Sequence, residues 1–207
     1  MAEKIVIELP GGLMNYKLIN FILVVVMVIG TLGFIFFGSD SNRILTYIVM
    51  FPLLIIPFLL YGTKYQLESK ELFWYYLFLF FAYFMGGVMD FYNKIGWYDL
   101  LIHFMSGILS FSIGQFILKK WSSDCFSFWN KMLFGLFVVM FVAGIWELFE
   151  YSVDSFFLFD FQHQLDNGVR DTMEDILVAL LGGMISVIGI IFKKKIIRGT
   201  DYKFLSR

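Results

Sequence analysis

Apolar residues run along this chain in long blocks separated by short polar stretches. A helix that crosses the hydrocarbon of a bilayer needs about 20 mostly apolar residues. Six blocks meet that requirement: Leu18–Phe37, Ile44–Tyr61, Glu71–Met89, Tyr98–Leu118, Lys131–Phe157 and Asp171–Phe192. The second contains Pro52 and Pro57, which predicts a kink. The fifth is longer than a bilayer requires, so its last two turns are expected to leave the hydrocarbon or tilt. Residues 1–17 alternate apolar and polar positions before Pro10, Gly11 and Gly12, the pattern of a short interfacial arm. No small-residue cleavage site follows the first block, so a removable signal peptide is not expected. The pattern predicts an all-α, polytopic helical bundle with six transmembrane helices. It forms a single membrane domain over residues 18–192, followed by a basic tail over 193–207.

Composition agrees with that reading. Of 207 residues, 59% are hydrophobic and 16% charged, and the mean hydropathy is +0.78, leaving too little polar surface to cover a soluble core. A single cysteine, Cys125, excludes an intramolecular disulfide and any multi-cysteine metal site. No glycine-rich phosphate loop, serine hydrolase elbow or HExxH pair occurs, and no basic, polar surface for nucleic acid.

Lys and Arg set the expected orientation. They gather in the N-terminal arm (Lys4, Lys17), the second-to-third loop (Lys64, Lys70), the fourth-to-fifth loop (Lys119, Lys120, Lys131) and the tail from Lys193 onward. The alternate loops hold only Arg43, Lys94 and Arg170. With six crossings, both termini are expected in the cytoplasm of a plasma or inner membrane. The tail's basic run reads as the same signal plus contact with anionic lipid.

Against this background, ionisable residues collect at the ends of the last three blocks. They read YDLLIHF (Asp99, His103), WELFEYSVD (Glu147, Glu150, Asp154) and RDTMED (Asp171, Glu174, Asp175). A charge within hydrocarbon costs about 2.5–3.5 kcal/mol even on mild scales, so such groups usually pair, bind an ion or line a watery space. The topology places Asp90, Asp99, Asp154 and Asp171 at extracytoplasmic helix ends, with His103, Asp175 and Glu147 one or two turns deeper. Tyr92, Trp97, Tyr98 and Trp146 lie at the depth of an aromatic belt.

Residues three and four apart share a helix face. Asp99 projects with His103; Glu147, Glu150 (or Tyr151) and Asp154 form one stripe; Asp171, Glu174 and Asp175 form another. Small residues continue these stripes inward: Ser106, Ser110 and Gly114; Met140, Ala143 and Gly144; Ala179, Gly182, Ser186 and Gly189. Such residues let membrane helices approach closely, so all three acidic faces are expected to point into the bundle. Converging carboxylates without nearby lysines must protonate or bind a cation. A divalent ion (Zn, Mg, Mn or Fe) suits Asp99, His103, Glu147, Asp171 and Asp175 as ligands. Glu147, Glu150 and Asp175 are the candidate catalytic carboxylates; Arg170, with Tyr151, is the candidate for recognising a substrate phosphate or carboxylate. Plainer roles compete: helix caps for Asp99 and Asp171, solvated ends for Asp90 and Asp154, headgroup contact for Glu174, an exposed loop for His163.

These residues also carry a resemblance. Asp99–x3–His103–Phe104 with Gly107, Trp146–Glu147–x2–Glu150, and Asp171–Thr172–x2–Asp175 with Gly182 resemble the YjdF-type family of membrane proteins of unassigned function, related to the VanZ-like group. The resemblance spans roughly residues 72–192. Where that family often has asparagine one turn after the last aspartate, this chain has Ala179, so any role of the amide is absent or taken by another group. The resemblance implies a cell-envelope setting. Three functions fit the pattern: a metal-dependent enzyme acting on a lipid-linked or amphipathic substrate, a proton- or cation-coupled transporter or lipid-handling protein, and a non-catalytic envelope factor. Membrane lipids are the expected surroundings in each.

Overall fold

The computed structural model describes residues 15–37, 52–122, 126–157 and 169–204. Helix α1 spans Tyr16–Phe37, and a second helical stretch, α2, covers residues 52–59. Helix α3 spans Ser69–Leu79 and continues as a π-helical segment over Phe80–Val88. A short α4 (Phe91–Lys94) leads to α5 (Tyr98–Ser122), α6 (Phe128–Phe157) and α7 (Val169–Phe204). No strand occurs among the described residues.

Five of these helical spans are long and apolar enough to cross a membrane: Tyr16–Phe36, Ser69–Val88, Tyr98–Trp121, Phe128–Phe156 and Val169–Lys195. The expected second crossing, Ile44–Tyr61, falls partly on residues 44–51, outside the described residues, as do most of the N-terminal arm, Cys125 and His163. The last helix runs on through the basic residues Lys193, Lys194 and Lys195, where a separate tail was expected from 193.

The helices pack as two groups. In one, α1 and α3 lie side by side and run parallel. Asn20 donates to the Ser69 carbonyl (2.9 Å) near their starts, and the Thr31 and Tyr83 hydroxyls bond at 2.6 Å towards their ends. Met27, Leu54, Tyr76, Leu79 and Tyr83 are buried between them and α2. In the other group, α5 and α6 are antiparallel, with Gln115 of α5 donating to the Lys131 carbonyl at the start of α6 (2.7 Å). Helix α7 returns parallel to α5 and closes the group around Phe111, Met132, Val139, Ala143 and Ala179. The Lys194 ammonium lies over the Phe128 ring (3.9 Å), so basic residues mark one end of this group and the acids the other.

Backbone approach sets the α5–α7 crossing. A Cβ at Gly107 would overlap the carbonyl oxygen of Ala179, and one at Gly182 would overlap that of Phe104. Lipid supplies no hydrophobic drive for helix association, so van der Waals packing between bare backbones is the main gain. Part of the expected small-residue stripes serves this purpose: Gly114 sits within 3.1 Å of Gly135 for an added Cβ, whereas Gly144 and Gly189 have open space. Met140, placed on the inner stripe from sequence, is 41% exposed. Val139 faces inward in its place, and Ala143 does so as expected.

The crossing predicts an ordered set of stabilities. Gly107→Ala and Gly182→Ala must displace a backbone carbonyl and should each cost about 1–3 kcal/mol, as overpacking does. Gly189→Ala gains helix propensity without a clash and should be neutral or slightly stabilising. Thermal unfolding of the purified protein in one detergent would reveal that order.

Candidate functional site

The α5–α7 register decides what faces what. His103 lies one turn before Gly107, and Asp175 one turn before Ala179, so the Gly107–Ala179 contact sets His103 against Asp175. The two approach to 3.8 Å (Nε2 to Oδ2). Asp99, one turn nearer the start of α5, stands 3.7 Å from the same nitrogen, and Glu147 reaches it from α6 at 4.0 Å. His103, Glu147 and Asp175 are buried, at 5%, 4% and 2% exposure.

These separations exceed a hydrogen bond. They match the spacing of atoms around a shared ion, since ligands about 2.0–2.2 Å from one metal stand ~3–4 Å apart. One ligand atom each from Asp99, His103 and Asp175 lies within 4.8 Å of the other two. The three therefore form a group able to hold a metal ion after a small inward movement. The five-residue ligand set expected from sequence narrows to these three, with Glu147 adjacent through His103. Asp171, one turn nearer the start of α7, is not one of the three.

Glu150 lies one turn further along α6. Its Oε1 accepts a bond from the Trp146 indole at 2.7 Å. Glu150, Asp99 and His103 line the polar end of a cavity of about 350 Å³. Asp90 and Asn93 complete that end. Asp90 adopts a left-handed backbone conformation (φ 68°), one that Asp tolerates better than most residues. There its Oδ1 accepts from Asn93 at 2.8 Å, and Lys94 lies 4.0 Å from its Oδ2.

The two residues expected to recognise substrate are placed elsewhere. Arg170 is exposed and its Nε donates to Glu174 at 2.6 Å, one turn along α7. Tyr151 is 54% exposed. Neither lines the cavity. An i, i+4 pairing is available to Arg170 at no cost in reach, whereas the inner face of α7 is already filled by Asp175 and the α5 backbone.

The expected aromatic belt also divides. Trp97 is exposed, but Tyr98 is 4% exposed and its hydroxyl donates to the Phe81 carbonyl at 2.9 Å. Tyr92 packs its ring on Gly86 of the π-helical segment, where a Cβ would collide with it. Burial first, then the Asp99 and Glu150 carboxylates, hold the Tyr92 phenol well above its ordinary value of 10, so it keeps its proton beside the acids. Sequence reading placed Tyr92 at the membrane surface. The Gly86–Gly87 pair in the sequence is the signal for this close approach, and the π-helical turn over Phe80–Val88 is its structural form.

The fold and the buried polar group define a class: a helical membrane protein with several spans and an ionisable site within them. Residues 18–195 match the family described as "Predicted membrane protein (DUF2238)", and the chain belongs to that family. An uncharacterized protein of Thermotoga maritima is 30% identical over 116 residues, which is 54% of this chain and 56% of that relative. The match thus spans little more than half the length of that relative. No solved structure matches.

The Trp146–Glu150 bond yields a test. Trp146→Phe removes the donor from a half-buried carboxyl group and should destabilise by about 1–3 kcal/mol. Adding Glu150→Met should recover most of that loss, giving a coupling of the same order in a double-mutant cycle of thermal unfolding.

Proposed function

We propose that this protein is a membrane-embedded enzyme whose Asp99, His103 and Asp175 hold a divalent metal ion. Glu147 and Glu150 serve beside them as acid–base carboxylates. Its substrate is an amphipathic or lipid-linked molecule of the cell envelope. The observation that carries this reading is the convergence of three ligand atoms within 4.8 Å, with two of the three residues, Asp99 and His103, lining the polar end of a largely apolar cavity. A surface ion pair has no need of such a cavity, and a helix cap has no need of partners from another helix.

Two carboxylates and one imidazole suit Mg, Mn, Zn or Fe. When bound, such an ion polarises a phosphoryl or carbonyl oxygen and lowers the pKa of water. The chain itself supplies the rest. The apolar wall excludes water from the reacting centre, and Trp146 fixes one orientation of Glu150. Protonated Tyr92 offers a hydrogen-bond donor beside the carboxylates. The concentration of Lys and Arg in the loops opposite the acids supports a site that faces away from the cytoplasm in the plasma or inner membrane, with both termini inside. The VanZ-like resemblance supports the same envelope setting.

Metal content and thermal stability of detergent-purified protein test the proposal. Wild type should carry about one divalent ion per chain, and a metal at 100 times its Kd should stabilise it by about 2.7 kcal/mol. Asp175→Asn and His103→Ala should lose both effects. Metal-free wild type that no divalent ion stabilises would overturn the metal site. Uptake into proteoliposomes driven by a pH gradient, and lost in Glu147→Gln, would then favour a coupled transporter.

A further inference from the structure

The cavity has a polar end and a long apolar remainder. Beyond Asp99 and His103, α5 presents Leu109 and Ile113 to it, α3 presents Phe78, the π-helical segment presents Ala82, and α6 presents Val142. Leu53 and Ile56 of α2 line it as well. Two hydroxyl-bearing residues of the wall turn their polar atoms away from the space. Ser106 donates to the His103 carbonyl at 2.7 Å, and Tyr75 donates to the Leu53 carbonyl at 2.6 Å. From Asp99 to Ile113 the helix rises ~21 Å at ~1.5 Å per residue. A volume of about 350 Å³ lies in the range of small-molecule sites and has room for a hydrocarbon tail.

We infer that this cavity holds a hydrocarbon tail of an amphiphile whose phosphate head lies against the Asp99–His103–Glu150 end. The polarity gradient sets its direction. An apolar space this size forfeits contacts on every wall when nothing fills it, and a chain from the surrounding lipid restores them. The phosphate is tolerated among carboxylates only with a divalent ion between them, so the choice of head rests on the metal site proposed above. The tail rests on the cavity alone. Linear alkyl and branched prenyl phosphates share this chemistry, and the two are separated by experiment.

Trp146 lines the cavity, while Trp74, Trp97, Trp121 and Trp129 are exposed. In a variant with those four changed to Phe, Trp146 fluorescence reports on the cavity. Brominated n-alkyl phosphates of increasing length, added with Mn to protein in nanodiscs, should quench it saturably. Affinity should rise with chain length and level off once the tail outgrows the cavity. Ala82→Leu and Leu109→Phe should each weaken long tails about tenfold, the effect of excluding two methylenes. Both should leave metal binding and the shortest chain unchanged. Farnesyl phosphate competing better than a linear chain of equal length would identify a prenyl tail; the reverse order would identify an alkyl one. If a neutral brominated alkyl glycoside quenches equally with and without chelator, the tail site stands and the phosphate head falls with the metal. Quenching that never saturates, or that both narrowing variants leave intact, would overturn the inference while leaving metal binding to be judged separately.

Discussion

The approach of α5 to α7 at Gly107 and Gly182 is the contact on which the site depends. With a Cβ excluded at both positions, backbone carbonyls of Phe104 and Ala179 pack directly on the facing helix. His103 and Asp175 each precede this contact by one turn, so the glycines set their separation as well as the helix packing. Slipping one helix by a single residue would turn its side chains by about 100° and break the group apart. In lipid, where burying apolar surface gains little, a contact of this kind also supplies much of the association energy. Stability and site geometry are one constraint here.

The second helix group makes the site usable. Helices α1 and α3 are joined by the buried Thr31–Tyr83 bond, and their meeting with α5 and α6 leaves the cavity between. The π-helical turn over Phe80–Val88 brings Gly86 under the Tyr92 ring and positions α4 across the polar end. A bundle packed tightly throughout would have buried the same ionisable residues without access. Their cost in a low-dielectric interior is then offset by one another, by Trp146, and by whatever charge enters from the cavity.

Much of the molecule was legible in the order of its residues. Long apolar blocks located the spanning helices, and three-and-four spacing placed Asp99 with His103 and both with Ser106 on one face. Gly182, on the small-residue stripe of the last helix, correctly marked the inward side, whereas Gly107 was singled out only through the family resemblance. Arg170 and Tyr151 were misjudged because spacing does not reveal which neighbour a long side chain takes. Arg170 found Glu174 on its own helix. Tyr92 and Tyr98 were assigned to the membrane surface because aromatic residues at helix ends commonly lie there; instead Gly86 makes room for the Tyr92 ring and the Phe81 carbonyl takes the Tyr98 hydroxyl. Ala179 looked like a lost amide; in the structure its 1% exposure and its contact with Gly107 show a position where backbone proximity matters.

By itself, then, the sequence determined the class of protein, the helices and the faces that carry charge, because hydrophobic length and helical period are local properties. Tertiary structure alone decided that Asp99, His103 and Asp175 converge while Arg170 turns to Glu174. Ligand distances of a few ångströms depend on the register and depth of helices far apart in the chain. Only the packed glycines, each meeting a carbonyl of another helix, fix those two quantities.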